Sequence, residues 1–365
     1  AVAKIIAKSG INFAASNLSR NSNWLPTESP YSYMGTNNLE ITLNDSMGTK
    51  TVTSTGTNNN KSQLVEIKIK MANFSEYAYF SNIEDNIWWT GADSVFGPFH
   101  TNDHVQVQGH PYFAGPSTSH GGIVKFFTNE ATDKPSIIGK YTPGITIDIP
   151  TDGITNLSSR ASSGGYTFSG QAQVFVEFAG DSIKFKFNSA DPYTTVLGTD
   201  LAPNGIIYVN NGNLRIQGTV KGKWSIGSNQ SVYLDGDVVY SDIPDPMDKN
   251  DSSQDLLGIL AKNNVIITDN IVNNSDINIH AAIYCEDGGF TAENYAVRPV
   301  SGSINLIGGI TQEQRGIIGQ FNVSGGINTV TSGFDKDYKY DSRLQRMVPP
   351  YFPSTNTFKI VSWLE

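Results

Sequence analysis

The side chains best suited to chemistry lie in three places. His100, His104, His110 and His120 are four of the five histidines and crowd one short stretch with Asp103. On a strand, His100 and His104 share a face with Gln106 and Gln108, opposite Val105 and Val107. Imidazoles on one polar face suit zinc or another transition metal. No HExxH or paired-cysteine spacing accompanies them, so a turn histidine with solvated neighbours is the favoured reading. Asp242, Asp245, Asp248, Asp251 and Asp255 share one loop with Pro244, Pro246 and Asn250. Clustered carboxylates on a loop make Asp242, Asp245, Asp248 and Asp251 the candidate ligands for calcium. The spacing is not that of an EF-hand or an RTX repeat, and a solvated acidic loop competes with it. The third group is two carboxylate pairs, Asp235 with Asp237 and Glu286 with Asp287. Neither has an obvious Arg or Lys on the same face to neutralise a sugar acid, and adjacent strand residues point to opposite faces. No nucleophile elbow, P-loop or dinucleotide fingerprint occurs, and Gly308-Gly309 and Gly325-Gly326 read as turns. Cys285, the single cysteine, sits in an apolar run and reads as a small buried residue. The chain is expected not to be an enzyme and to need no cofactor, calcium being the one candidate.

The elements that would position these residues are mostly strands. Apolar residues make up 38% of 365 residues and charged ones only 16%, and Gly, Asn, Ser and Thr fill the difference. That composition favours turns and short strands over long helices. The net charge of −9 repels phosphate backbones, so nucleic acid is not an expected partner.

One helix stands out, over residues 1–20. Its apolar residues recur at three- and four-residue steps, with alanines between them and Gly10 as a weak point. Ile5, Ile6, Ile11, Phe13 and Leu18 are the candidate assembly face, and packing on the helix's own domain is the competing reading. The sequence shows neither a membrane span nor a signal peptide. It opens inside the helical pattern without Met, so an export signal or hydrophobic anchor is expected upstream, and with it any membrane contact.

The remaining boundaries follow the patterning. Residues 1–23 form the N-terminal helix and 24–85 an antiparallel β segment, with an exposed Thr-, Asn- and Gly-rich hairpin or loop expected over 49–62. Residues 86–136 begin the β body. Residues 137–200 read as an inserted β module, with a short helix near 154–163 and a hairpin pairing 174–178 with 183–187. Residues 201–333 carry recurrent short strands between Gly, Asn and Asp. Leu214 and Ile216 recur as Val232 and Leu234, a step of 18 residues. That step suits the coils of a parallel β-helix, or β-solenoid, in which no single coil buries its own apolar face. Residues 334–365 are expected to cap the end. The fold expected is therefore mainly β: a parallel β-solenoid with an antiparallel β module and an N-terminal α-helix.

Several segments together resemble a known group. They are Trp89-Thr-Gly91 with Phe96-Gly-Pro-Phe-His-Thr-Asn102, Leu256 to Ile267, Ile279 to Tyr284, Leu306 to Gln312, and Tyr340 to Leu344 with Pro349 to Pro353. Their order is similar to that of uncharacterised bacterial exported proteins with a type IV pilin-like (PilX-like) N-terminal helix and a Gly- and Asn-rich β body. The resemblance implies an extracellular or cell-surface structural subunit of a pilus-like or other filament, assembling with itself or with other pilin-like subunits. It supplies no catalytic residues. The alternatives from the residues alone are a carbohydrate-binding or carbohydrate-cleaving β-helix, with surface glycans as partners, and a calcium-dependent adhesin.

Overall fold

A computed structural model describes residues 1–46, 49–122, 125–324 and 327–365. The chain is mainly β with an N-terminal helix, and it divides into two units. The first comprises Ala1–Ala72 with Ser354–Glu365, and the second Asn73–Pro353. No described helix is long and apolar enough to cross a membrane.

In the first unit, helix α1 (Val2–Arg20) lies on an antiparallel sheet of β1 (Tyr31–Tyr33), β2 (Thr36–Ser46), β3 (Thr49–Asn58), β4 (Lys61–Asn73) and the strand Ser354–Leu364, in that order. The sheet presents alternate residues to the helix, Leu39 and Ile41, Val52, then Val65, Ile67 and Ile69, all buried. Ile6, Ala7, Ile11, Ala14 and Leu18 close the same core. Gly10 is a contact point rather than a weak point. A Cβ there would stand 2.1 Å from Ser54 Oγ, and a Cβ on Gly56 would stand 2.3 Å from the Ala3 carbonyl oxygen. Two glycines thus let helix and sheet approach more closely than any side chain permits.

Two sequence expectations meet the structure here. Of the two readings of the Thr-, Asn- and Gly-rich stretch over 49–62, hairpin and loop, the structure has the hairpin. Thr49–Asn58 pairs with β2 on one side and β4 on the other. Threonine suits a pleated, half-buried surface, and the turn is confined to Asn59 and Asn60, both at positive φ. In place of the cap expected of residues 334–365, the last strand joins the sheet of the first unit.

The second unit is a long series of parallel pairings. Tyr166–Ser169, Ile206–Asn210, Lys223–Ser228, Leu256–Ala261, Ile277–Cys285 and Val300–Gln314 lie side by side in that order. The series continues with strands from earlier in the chain: Tyr79–Ile83, then Phe99–Thr101, Ser117–Ser119 and Tyr141–Pro143. A second row aligns Leu214 with Val232 and Ile216 with Leu234, also in parallel. The residues expected to form an inserted module belong to these rows, since Gln173–Gly180 pairs in register with Asn213–Val220. The expected hairpin is present, with Val176 opposite Phe185. Gly308 and Gly309 lie within a strand, beside Ala281 and Ala282, rather than in a turn. Gly325-Gly326 falls outside the described residues.

Ile206–Asn210 shows why these strands read as unbroken apolar runs. Ile207 and Val209 enter the main core, while Ile206 and Tyr208 face a second cluster with Ile154 and Leu157 of helix α2 (Gly153–Ala161). Both strand faces are covered, so alternation disappears.

Candidate functional site

Four regions bear on function. The first is the helix of the first unit. Of the candidate assembly face, Ile6, Ile11 and Leu18 are buried against the sheet, while Ile5 and Phe13 are exposed. Phe13 meets Trp24 and Tyr31 at ring-centroid distances of 6.0 and 5.1 Å. The structure therefore splits the five residues between opposite sides of α1. Beside the first two turns runs the end of the C-terminal strand, tied by Lys4 Nζ and Lys8 Nζ to the Glu365 carboxylate at 2.8 and 2.7 Å. This strand lies at the sheet edge, with β4 as its neighbour. Its Ile360, Val361, Trp363 and Leu364 are exposed, as are Val2 and Ile5 of the helix. Sequence reasoning read the strand as a closing piece and missed its exposure, because alternation normally signals a covered face.

The aspartate loop has another use for its carboxylates. Asp245 Oδ1 accepts from Met247 N, Asp248 Oδ1 from Asn250 N, and Asp251 from both Ser253 N and Asp245 N. The Asp242 amide donates to Asp255, and Asp255 also accepts from Gly222 N at 2.6 Å. The backbone donors that hold Asp251, Ser253 first and then Asp245, keep its carboxyl below the usual range. Among the described residues no three His, Cys, Asp or Glu side chains come together as a metal would require. Arg343, fully buried, anchors the loop by donating to the Ser253 and Asp255 carbonyls while paired with Asp341 at 2.7 Å.

The histidines also diverge. His100 is buried, with Nδ1 2.6 Å from Thr118 Oγ1 and Nε2 2.8 Å from Asn102 Oδ1, and burial lowers its pKa to about 4. His110 meets the Lys134 carbonyl, and His120 the Thr146 hydroxyl. His104 is exposed. His280 accepts from Tyr240 N and is likewise lowered to about 4 by burial. Cys285 is buried in the core, which pushes its thiol up to about 12 and away from reactivity.

The carboxylate pairs do have basic partners, from other strands. Arg215 holds Asp235 through Nε and Nη2 at 2.9 and 2.6 Å. Glu286 accepts from Lys262 Nζ at 2.6 Å and from the Ile154 amide at 2.8 Å, which places a carboxylate at the N-terminus of α2. Sequence reasoning missed a further cluster altogether. Glu84 is fully buried and accepts from Tyr79 Oη, Ser81 Oγ, Trp89 Nε1 and Arg315 Nη1. The Arg315 guanidinium carbon stands 4.0 Å from the Trp89 ring centroid. Nearby, Lys336 Nζ meets Asp93 Oδ1 at 2.7 Å. Burial pushes the Asp93 carboxyl upward, but Lys336 and Arg315 outweigh it and hold it below the ordinary value. The only sequence signal is a lone Arg between strands, since the partners lie more than two hundred positions away.

The comparisons add little chemistry. A domain of unknown function (DUF4900) matches residues 32–122. No curated protein matches the chain. Among solved structures, the crystal structure of the competence-associated pilin ComZ from Thermus thermophilus is similar, with a TM-score of 0.40 and 10% identity over 99% of this chain and 96% of that chain. A likeness of this degree transfers no residue and no role.

Proposed function

We propose that the chain is a structural subunit of an extracellular, pilus-like or other surface assembly, and that it acts without catalysis. The observation that carries this reading is the apolar edge of the first unit. Ile360, Val361, Trp363 and Leu364 lie exposed on an 11-residue edge strand, next to the exposed Val2 and Ile5 of α1. A monomeric protein normally blunts such an edge with charge, proline or a bulge, and a long apolar edge is a template for pairing with another chain. The other edge of the sheet, β1, is only three residues long. We also infer that the second unit is a parallel β-solenoid, because its strands stack in register over many steps and share one apolar interior. Such a body suits a rigid spacer. The surface location follows the resemblance to exported pilin-like proteins.

The test is the association state of the full chain by sedimentation velocity. Concentration-dependent self-association is expected, and V361K combined with W363K should return the chain to monomer with its circular dichroism unchanged. A chain that stays monomeric at its highest soluble concentration, with the double variant indistinguishable from it, would remove the basis for this reading.

A further inference from the structure

Beside the buried Glu84–Arg315 pair a cleft opens in the second unit, with about 500 Å³ of empty space counting its mouth. Trp88, Asp93, Arg315, Phe321, Asp335 and Lys336 are among its walls. A cavity of about 300 Å³ shares Arg315, Gly316, Ile318 and Lys336 with it and reaches Tyr79, Trp89, Gln312 and Tyr338.

The cleft combines rings with both kinds of hydrogen-bonding group. Trp88 is half-buried, with the Phe127 ring edge-on at 5.2 Å. Arg315 is 6% exposed, and only its Nη1 is engaged, with Glu84 and the Ile87 carbonyl. Among the described residues its Nε and Nη2 have no partner, and neither has the Tyr338 hydroxyl. A guanidinium this buried normally has its donors satisfied. Here the unused donors belong to a side chain that lines the cleft, so an acceptor from outside the protein would complete them. Asp335 supplies an exposed acceptor on the same walls, whereas Asp93 is already held by Lys336 Nζ and by the Thr90 amide and hydroxyl. Two cations facing two carboxylates, with Glu84 beneath, leave no excess positive charge for an anion. The arrangement suits hydroxyls, which donate to Asp and accept from Arg, over a ring face that aromatic side chains can cover.

We propose that this cleft binds a neutral pyranose sugar unit. Its hydroxyls are held by Arg315 and Asp335, and its apolar face is covered by Trp88 or Phe321. The site lies wholly within the second unit, so it stands or falls independently of assembly through the first.

The experiment titrates the full chain with the methyl glycosides of glucose, mannose and galactose and with N-acetylglucosamine. Binding is read by tryptophan fluorescence and saturation-transfer NMR. Short oligosaccharides of the same sugars form a second arm, to separate a free sugar from a glycan chain. At least one neutral sugar is expected to bind saturably, with a dissociation constant on the order of millimolar. W88A and D335A should each weaken it about tenfold, the scale of a lost aromatic or hydrogen-bond contact. Both side chains are at the rim, so unchanged melting of each variant shows that the fold is kept. No saturable signal from any of these sugars, tighter binding of glucuronate than of glucose, or full binding by both variants would each overturn the proposal.

Discussion

Arg315 Nη1 donates to Glu84 Oε2 at 2.7 Å across 231 residues of sequence. The bond sits beside the place where Thr311 of one parallel strand pairs with Phe80 of another, the junction between two runs of chain that are remote in order. Both side chains are almost completely buried, at 5% and 0% exposure, so neither charge can fall back on water. Tyr79, Ser81 and Trp89 complete the hydrogen bonds of the carboxylate.

Removing one partner of this pair should therefore be costly. E84Q is expected to lower stability by about 3–5 kcal/mol, because it strands a buried guanidinium. Replacing both partners, as E84Q with R315M, should cost less than the sum of the single changes. Urea unfolding followed by tryptophan fluorescence measures both, and strictly additive losses would show that the two groups are not coupled.

The close approach of α1 to its sheet makes a second prediction. In G56V the new side chain would meet the Ala3 carbonyl oxygen and the Ala7 amide, both nearer than 3 Å to the site of its Cβ. Helix and sheet must then separate, at about 1–3 kcal/mol for overpacking of this kind. Hydrogen exchange should report faster opening of Ile6 to Leu18 in the variant. Unchanged protection there would show that the helix is not seated as described.

Acid should destabilise the second unit through its histidines. Burial lowers His100 and His280 to about 4 from 6.5, so the unfolded chain binds more protons than the folded one between those values. Their contribution is complete above pH 6.5 and declines as pH falls toward 4. Asp133, held near 2 by the Gly109 amide and other donors, acts in the same direction at lower pH. Thermal melts between pH 7 and pH 4.5 should show falling midpoints, and H280Q should flatten the slope. A midpoint that rises over this range would contradict the buried, neutral histidines.

The aspartate loop should not depend on calcium. Asp245, Asp248 and Asp251 are already occupied with backbone amides, and Arg343 ties the loop to the body. The melting midpoint should be the same in a chelator as in millimolar calcium, to within about a degree. R343M should lower it by several degrees, since an unpaired buried Asp341 remains. Stabilisation by calcium that depends on Asp248 would instead establish a metal site.

Much of the local structure was legible. The helix over residues 1–20, the hairpin joining residues 174–178 to 183–187 and the short helix near residue 154 all correspond to described elements. Periodicity reports which side chains are hidden, and the unbroken apolar run at Ile206 belongs to a strand covered on both faces. Other features left no local trace. Thr49–Asn58 is polar enough to read as a loop as readily as a hairpin strand, because its hidden side is filled largely by small residues under the helix, among them Ser54 and Gly56.

What the sequence determined by itself was the class of each element: one amphipathic helix, many short strands, and glycine and asparagine at the turns. The tertiary structure alone decided which strands are neighbours. It placed Tyr79–Ile83 beside Val300–Gln314, sent Ser354–Leu364 back to the first sheet, and brought Arg215 to Asp235 and Arg315 to Glu84. The reason is that strands pair through backbone groups, which every residue except proline carries alike. A strand's own residues therefore say that it will be covered, and only competition among all the strands for the shared interior says by which other one.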